Sequence, residues 1–64
     1  MKKIYIVEAD SMLNGGVRVN YHVLGFENAV AEYNECKMDG QCPILYETFV
    51  AHTGLIMKSK KIEL

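Results

Sequence analysis

The sequence lacks most of the features that identify a function directly. It has one proline, two cysteines and no tryptophan among 64 residues. The apolar run 4–7 ends at Glu8, and it is too short to cross a membrane or to form the centre of a signal peptide. Seven basic residues against eight acidic ones give a net charge of −1, which argues against a dedicated nucleic-acid binder and against an acidic DNA mimic. Because the apolar run is too short for a membrane span or a signal peptide, we expect a cytoplasmic protein.

The two cysteines do not form a recognised redox or metal-binding pair. Cys36 and Cys42 are six positions apart, whereas redox and zinc pairs have two residues between the cysteines. We expect two reduced thiols, with a disulfide across the intervening turn as the alternative. A zinc site that recruits His22 or His52 would need four converging ligands, and the spacing does not predict them. The sequence predicts no metal or other cofactor.

Size and composition favour a single small binding domain rather than an enzyme. Half of the residues are hydrophobic and 23% are charged, as in a globular chain, and we expect one domain over residues 1–64. A domain of this length buries only about 60% of the surface of its unfolded chain, so an enclosed active site is not expected. The chain has no glycine-rich phosphate loop, and a Cys–His catalytic pair would need a third, orienting group. We predict that it is not an enzyme.

The first half of the chain predicts a β-hairpin. Apolar and polar residues alternate without a break over Val17–Val23, which is typical of a half-buried strand. Lys2–Ala9 is rich in β-branched and aromatic residues and predicts the preceding strand. Asn14 and Gly15 favour the positive φ angles of a two-residue turn. The two strands are therefore predicted to pair antiparallel.

That turn also predicts a register, with Ile6 opposite Val23 and Val7 opposite His22. Glu8 and Asp10 would then join the core face, so we expect a bulge or a splayed loop over 8–16 that releases them. The other residues predicted on the core face are Ile4, Ile6, Met12, Val17, Val19, Tyr21 and Val23.

The second half predicts a helix followed by another hairpin. Apolar residues recur at three- and four-residue steps over Glu27–Met38, as in an amphipathic helix, and Gly40 can end it in a left-handed conformation. Ile44–Ala51 and Leu55–Ile62 predict two strands, of which the first has two partly apolar faces. The predicted fold is α+β: two layers in the order β-β-α-β-β, with a four-stranded antiparallel sheet and one helix on one face.

One helix covers one face of such a sheet, so the other face is the candidate binding surface. Tyrosine and arginine are enriched where proteins bury central contacts with partners, and we expect that replacing Tyr5 and Arg18 by alanine weakens binding and leaves the fold intact. The alternatives are an amphipathic outer face with no partner and a homodimer through this face. The residues predicted to bind a partner are Tyr5, Val7, Arg18, Asn20, His22, Phe49, Lys58 and Lys60.

A second function class is a single-stranded nucleic-acid-binding module. If the outer strands are neighbours, the terminal lysines form one positive patch, beside which Tyr5 and Phe49 could stack on bases. The lysines concerned are Lys2, Lys3, Lys58, Lys60 and Lys61. Affinity that falls steeply with salt would distinguish this class.

The layout of the whole chain also carries a resemblance. It has a Lys-Lys-Ile-Tyr-Ile-Val strand at 2–7, a turn and a second strand, a helix opened by Phe-Glu-Asn-Ala-Val at 26–30, and a final hairpin. In size and layout it resembles small phage-encoded proteins that inhibit bacterial defences, anti-CRISPR proteins among them. The resemblance implies a stoichiometric inhibitor that occupies a surface of a defence effector such as a CRISPR–Cas complex. Antitoxins of small toxin–antitoxin pairs have a similar outline but usually carry a further DNA-binding segment.

Overall fold

In a computed structural model, which describes residues 2–11 and 15–64 apart from the side chains of Met57 and Lys58, four strands form one sheet. The sheet order is β2-β1-β3-β4 and every neighbouring pair is antiparallel. This confirms the predicted α+β class with one helix. The elements are β1 (Lys2–Asp10), β2 (Arg18–Val23), α1 (Phe26–Met38), β3 (Ile44–Val50) and β4 (Ile56–Ile62).

The helix ends where the sequence predicts. Gly40 has a φ of 72°, and its N–H donates to the carbonyl of Lys37 at 3.1 Å. The N–H of Gln41 donates to the carbonyl of Cys36 at 3.0 Å. This pair of hydrogen bonds is a Schellman motif, which satisfies carbonyls that the helix itself leaves without partners.

The core lies between α1 and the two central strands. Val7, Ala9 and Leu45 are fully buried on one side of the sheet, and the helix contributes Ala29 and Cys36. The helix packs on β1 and β3, and edge strand β2 lies further from it. None of the helices in the described ranges 2–11 and 15–64 has the length and apolar character needed to span a bilayer.

The register of the first hairpin differs from the prediction by one residue. Val23 lies opposite Tyr5, and His22 lies opposite Ile6. A shift of one residue moves a whole strand's side chains to the other face of the sheet. The prediction that Ile4 and Ile6 share the helix-covered face is therefore wrong, because Tyr5 and Val7 take those places.

The connection between β1 and β2 explains the shift. The N–H of Ser11 donates to the carbonyl of Val17 at 2.8 Å, and the N–H of Gly16 donates back to the carbonyl of Ser11 at 2.9 Å. These bonds close a connection longer than the expected two-residue turn. Strand β1 also continues in register to Asp10, so the irregularity expected over 8–16 does not begin at Glu8 but follows Asp10. The predicted turn residue Asn14 and core residue Met12 lie outside the described residues.

The pairing of β1 with β3 decides the facing of β3, which the sequence left open. Leu45 lies opposite Val7, and Phe49 lies opposite Lys3. Leu45, Glu47 and Phe49 therefore point to the helix side. Phe49, which was predicted on the uncovered face, is on the covered side of the sheet.

Candidate functional site

The side of the sheet opposite α1 is the candidate surface, and we call it the open face. No helix or strand among the described residues packs on it. Strand alternation and the observed registers place side chains of all four strands there. The open face consists of Lys2, Ile4, Ile6, Glu8, Asp10, Arg18, Asn20, His22, Ile44, Tyr46, Thr48, Val50, Ser59 and Lys61.

The centre of the open face is a shallow depression of about 250 Å³. Its lining comes from all four strands: Ile6, Glu8, Asn20, Tyr46 and Ser59. Ile6 is only 8% exposed although no helix covers it, whereas Asn20 and Ser59 are exposed. An apolar centre with a polar, accessible rim is the usual anatomy of a protein-binding surface.

Thr48 gives the open face a buried polar position. Its side chain is fully buried, and its hydroxyl lies 3.2 Å from that of Ser59 on β4. A buried hydroxyl without a partner would cost about 1–3 kcal/mol. The Thr48–Ser59 pair therefore helps to join the two strands at this point of the sheet.

Arg18 lies at one end of the open face and is already surrounded by acceptors. Its Nη1 donates to Asp10 Oδ1 and to the carbonyl of Cys42, each at 2.9 Å, and to the carbonyl of Gln41 at 3.3 Å. Its Nη2 donates to Glu8 Oε2 at 3.3 Å and to the carbonyl of the same residue at 3.4 Å. The guanidinium thus connects β2 to β1 and to the segment before β3.

These contacts change the role expected for Arg18. Its pKa is raised above the usual value, chiefly by the hydrogen bond to Asp10 and further by Glu8. The charge is compensated by these two carboxylates, which the observed register places on the open face rather than in the core. An alanine at Arg18 would remove contacts between three segments, so the expectation that this change leaves the fold intact is not supported.

The other predicted partner-binding residues divide between the two faces. Asn20 and His22 are exposed on the open face, as predicted. Tyr5 and Val7 are buried on the helix side, and the prediction that they lie on the uncovered face is wrong. Tyr5 packs edge-to-face on Phe26, with ring centroids 5.6 Å apart.

The condition set for one positive patch, that the strands carrying the terminal lysines are neighbours, is not met. Strand β3 separates β1 from β4. Lys3 Nζ lies 3.8 Å from Glu47 Oε2 and 5.8 Å from the centre of the Phe49 ring. Backbone register puts Lys58 opposite Phe49 and Lys60 opposite Glu47, and the side chain of Lys58 lies outside the described residues.

The two thiols lie in different environments. Cys36 is buried, Cys42 is exposed and neither forms a disulfide, which confirms the prediction of two reduced thiols. Burial, with Glu32 nearby, raises the pKa of the Cys36 thiol and makes it a poor nucleophile. In residues 2–11 and 15–64, no three His, Cys, Asp or Glu side chains come together to hold a metal ion.

Sequence reasoning missed Ile6 and Tyr46 as central residues of the candidate surface. Alternation placed Tyr46 and Thr48 on the same face of β3 but could not show whether that face lies against the helix. The orienting signal is the cross-strand pair of Ile6 and Tyr46, which follows only from the register. No family model matches this chain, and no curated protein or solved structure was found to be similar to it.

Proposed function

We propose that this chain is a cytoplasmic, non-enzymatic inhibitor that binds a bacterial defence effector, such as a CRISPR–Cas complex, and blocks it by surface occupancy. The open face is the proposed contact surface. The observation that carries the proposal is its apolar centre, at Ile6 and Tyr46, surrounded by exposed polar side chains. The resemblance in size and layout to phage-encoded inhibitors supports the choice of partner class.

Tyr46 is the proposed central contact. Tyrosine presents a large, rigid surface with a polar end and is enriched among the residues that dominate binding energy. Asn20 and Ser59 line the same depression, and His22 lies opposite Ile6; these groups can form hydrogen bonds and so fix the orientation of the partner. A standard interface buries about 800 Å² on each partner, which is less than a fifth of the 4558 Å² accessible surface of this chain.

The charges of the open face favour a protein partner over a nucleic acid. Arg18 is compensated by Glu8 and Asp10, Lys61 Nζ lies 3.6 Å from Glu63 Oε1, and the remaining cation, Lys2, lies at the end of the face opposite Val50. A surface that binds phosphates needs several uncompensated cations. The open face is therefore better suited to a partner that presents neutral or apolar side chains.

The test measures protection of a phage against CRISPR–Cas. The chain is expressed in bacteria whose CRISPR–Cas system targets the phage, and plaques are counted for each of several system types. We expect the native chain to restore plaques in at least one type and Tyr46→Glu to abolish this effect. The glutamate should be tolerated by the fold, because Lys61 lies opposite position 46 and opposite charges stabilise cross-strand pairs.

The matched control is Leu55→Glu, since Leu55 is 65% exposed and lies outside the open face. We expect it to protect as well as the native chain. In a titration of the effector that responds, Tyr46→Glu should cost about 2 kcal/mol or more, a loss of affinity of about 30-fold.

Two outcomes would contradict the proposal. No protection against any system type would refute inhibition of CRISPR–Cas, and equal protection by Tyr46→Glu and Leu55→Glu would exclude the open face. Binding of the chain to a random single-stranded oligonucleotide, with an affinity that falls steeply between two salt concentrations, would support the nucleic-acid alternative instead.

A further inference from the structure

The outer edge of β2 has the features of a pairing surface that the proposed function does not use. Strand β2 is an edge of the sheet, and β1 is its one hydrogen-bonded neighbour within 2–11 and 15–64. An edge strand presents backbone groups that can pair with another strand. Its six residues, Arg18–Val23, include no proline or lysine.

The observed register identifies which backbone groups face outward. The N–H of Ser11 donates to the carbonyl of Val17, so Val17 directs its backbone groups toward β1. Hydrogen-bonded and non-bonded pairs alternate along an antiparallel ladder. The backbone groups of Val19 and Tyr21 therefore also face β1, and those of Arg18, Asn20 and His22 face outward.

An apolar strip follows the same edge on the helix side. We define it as Val17, Val19, Tyr21 and Val23. Val17 is 59% exposed and Tyr21 is 38% exposed, because α1 packs on β1 and β3 rather than over β2. The strip therefore offers apolar surface beside the outward-facing backbone groups.

The opposite edge of the sheet lacks these features. Strand β4 contains three lysines within Ile56–Ile62, and lysines on an edge strand discourage pairing with another chain. Pairing of β2 with the β4 of a second copy would extend into an open filament, whereas pairing of β2 with itself closes after two copies. The difference between the edges favours the closed arrangement.

We propose that β2 pairs antiparallel with the β2 of a second copy of this chain about a two-fold axis at Asn20. Arg18 then lies opposite the partner's His22, and the three outward-facing pairs exchange about six backbone hydrogen bonds. Val19 meets the partner's Tyr21, and Val17 meets the partner's Val23. Cross-strand partners share a face, so the two apolar strips meet on the helix side.

Charge is compatible with this self-pairing. Arg18 is the one charged residue of β2 when His22 is neutral, and Glu8 and Asp10 compensate it within each copy. Two copies therefore meet without uncompensated like charges. The result is a continuous eight-stranded sheet with both helices on one side and both open faces on the other.

The test is the mass of the full chain by sedimentation equilibrium, from about 1 μM to about 1 mM. We expect the native chain to reach twice its 7.3 kDa within this range. Asn20→Pro removes an outward-facing N–H without removing a bond to β1, and it should weaken the dimer at least tenfold. Asn20→Ala keeps the N–H and should dimerise like the native chain.

A second pair of variants keeps the test decisive if the proline disturbs folding, which circular dichroism and a thermal melt would detect. Tyr21→Lys places a charge in the apolar strip and should also weaken the dimer at least tenfold, whereas Leu55→Lys should not. A native chain that stays monomeric at about 1 mM overturns the proposal. So does a dimer whose dissociation constant is unchanged in Tyr21→Lys. Both results concern the edge of β2, so neither changes the result expected for Tyr46→Glu in the protection assay.

Discussion

Replacing Leu45 by alanine should remove much of the stability of this fold. Leu45 is fully buried beneath α1, opposite Val7 on one side and Ile62 on the other. Removing a buried leucine side chain costs about 2–5 kcal/mol, because it leaves a cavity as well as losing burial. A 64-residue domain has a total stability of about 3–10 kcal/mol at about 0.05–0.15 kcal/mol per residue. The single change therefore removes a large share of that total.

The measurement is urea unfolding, with thermal melting as a second probe. A loss of about 2 kcal/mol or more corresponds to a fall in Tm of at least about 8 °C in a domain of this size. Leu55→Ala is the matched control, because Leu55 is 65% exposed and should change stability by no more than about 0.5 kcal/mol. Equal stabilities for the two variants would refute the assignment of Leu45 to the helix-covered side.

Four further predictions concern Arg18, the two thiols together, Cys36 alone and Gly40. Arg18→Met should lower Tm and Arg18→Lys should recover only part of the loss, because one ammonium cannot reproduce the forked contacts of the guanidinium; full recovery by lysine in a thermal melt would contradict this. A thiol reagent should label Cys42 quickly and Cys36 slowly at neutral pH, and comparable rates would argue against the buried position of Cys36. Because the pKa of the Cys36 thiol is raised in the folded state, its contribution to the free energy of unfolding is present below the thiol's ordinary pKa. That contribution is lost as the pH rises through the folded-state pKa. Cys36→Ala should therefore reduce the loss of stability at alkaline pH, as measured by urea unfolding at several pH values. Gly40→Ala should destabilise the fold by about 1–2 kcal/mol, since the residue occupies a φ of 72° that disfavours a Cβ atom, and an unchanged unfolding midpoint would rule out the left-handed helix end.

The sequence predicted the elements well because each leaves a local signal. The period of the apolar residues identified α1, and Gly40 marked its end through a conformation that glycine adopts most readily. Strict alternation identified β2, and Asn20 and His22 were correctly placed opposite the helix. These features depend on neighbours along the chain, so they can be derived from a single sequence.

The facing of β1 and β3 depends on pairing between strands, and there the sequence was insufficient. Strand β1 is apolar on both faces, with Ile4 and Ile6 on one and Tyr5 and Val7 on the other. Its pattern therefore fits either register, and the assumed two-residue turn chose the wrong one. That register placed Glu8 and Asp10 on the core face, whereas the observed pairing places them on the open face beside Arg18.

The error also changed the candidate surface. Tyr5 and Phe49 were favoured as aromatic contacts, but both lie on the helix side. Tyr46 takes the central place on the open face because β3 pairs with β1 in the register that sets it opposite Ile6. To predict this arrangement one must know which residues pair between neighbouring strands. The periodicity along a single strand does not contain that information.

The proposal that the open face blocks a defence effector is tested most directly by plaque counts of a CRISPR-targeted phage in cells that express the native chain, Tyr46→Glu or Leu55→Glu. We expect restored plaques with the native chain and with Leu55→Glu, and none above background with a folded Tyr46→Glu variant. Plaques restored equally by Tyr46→Glu would contradict it.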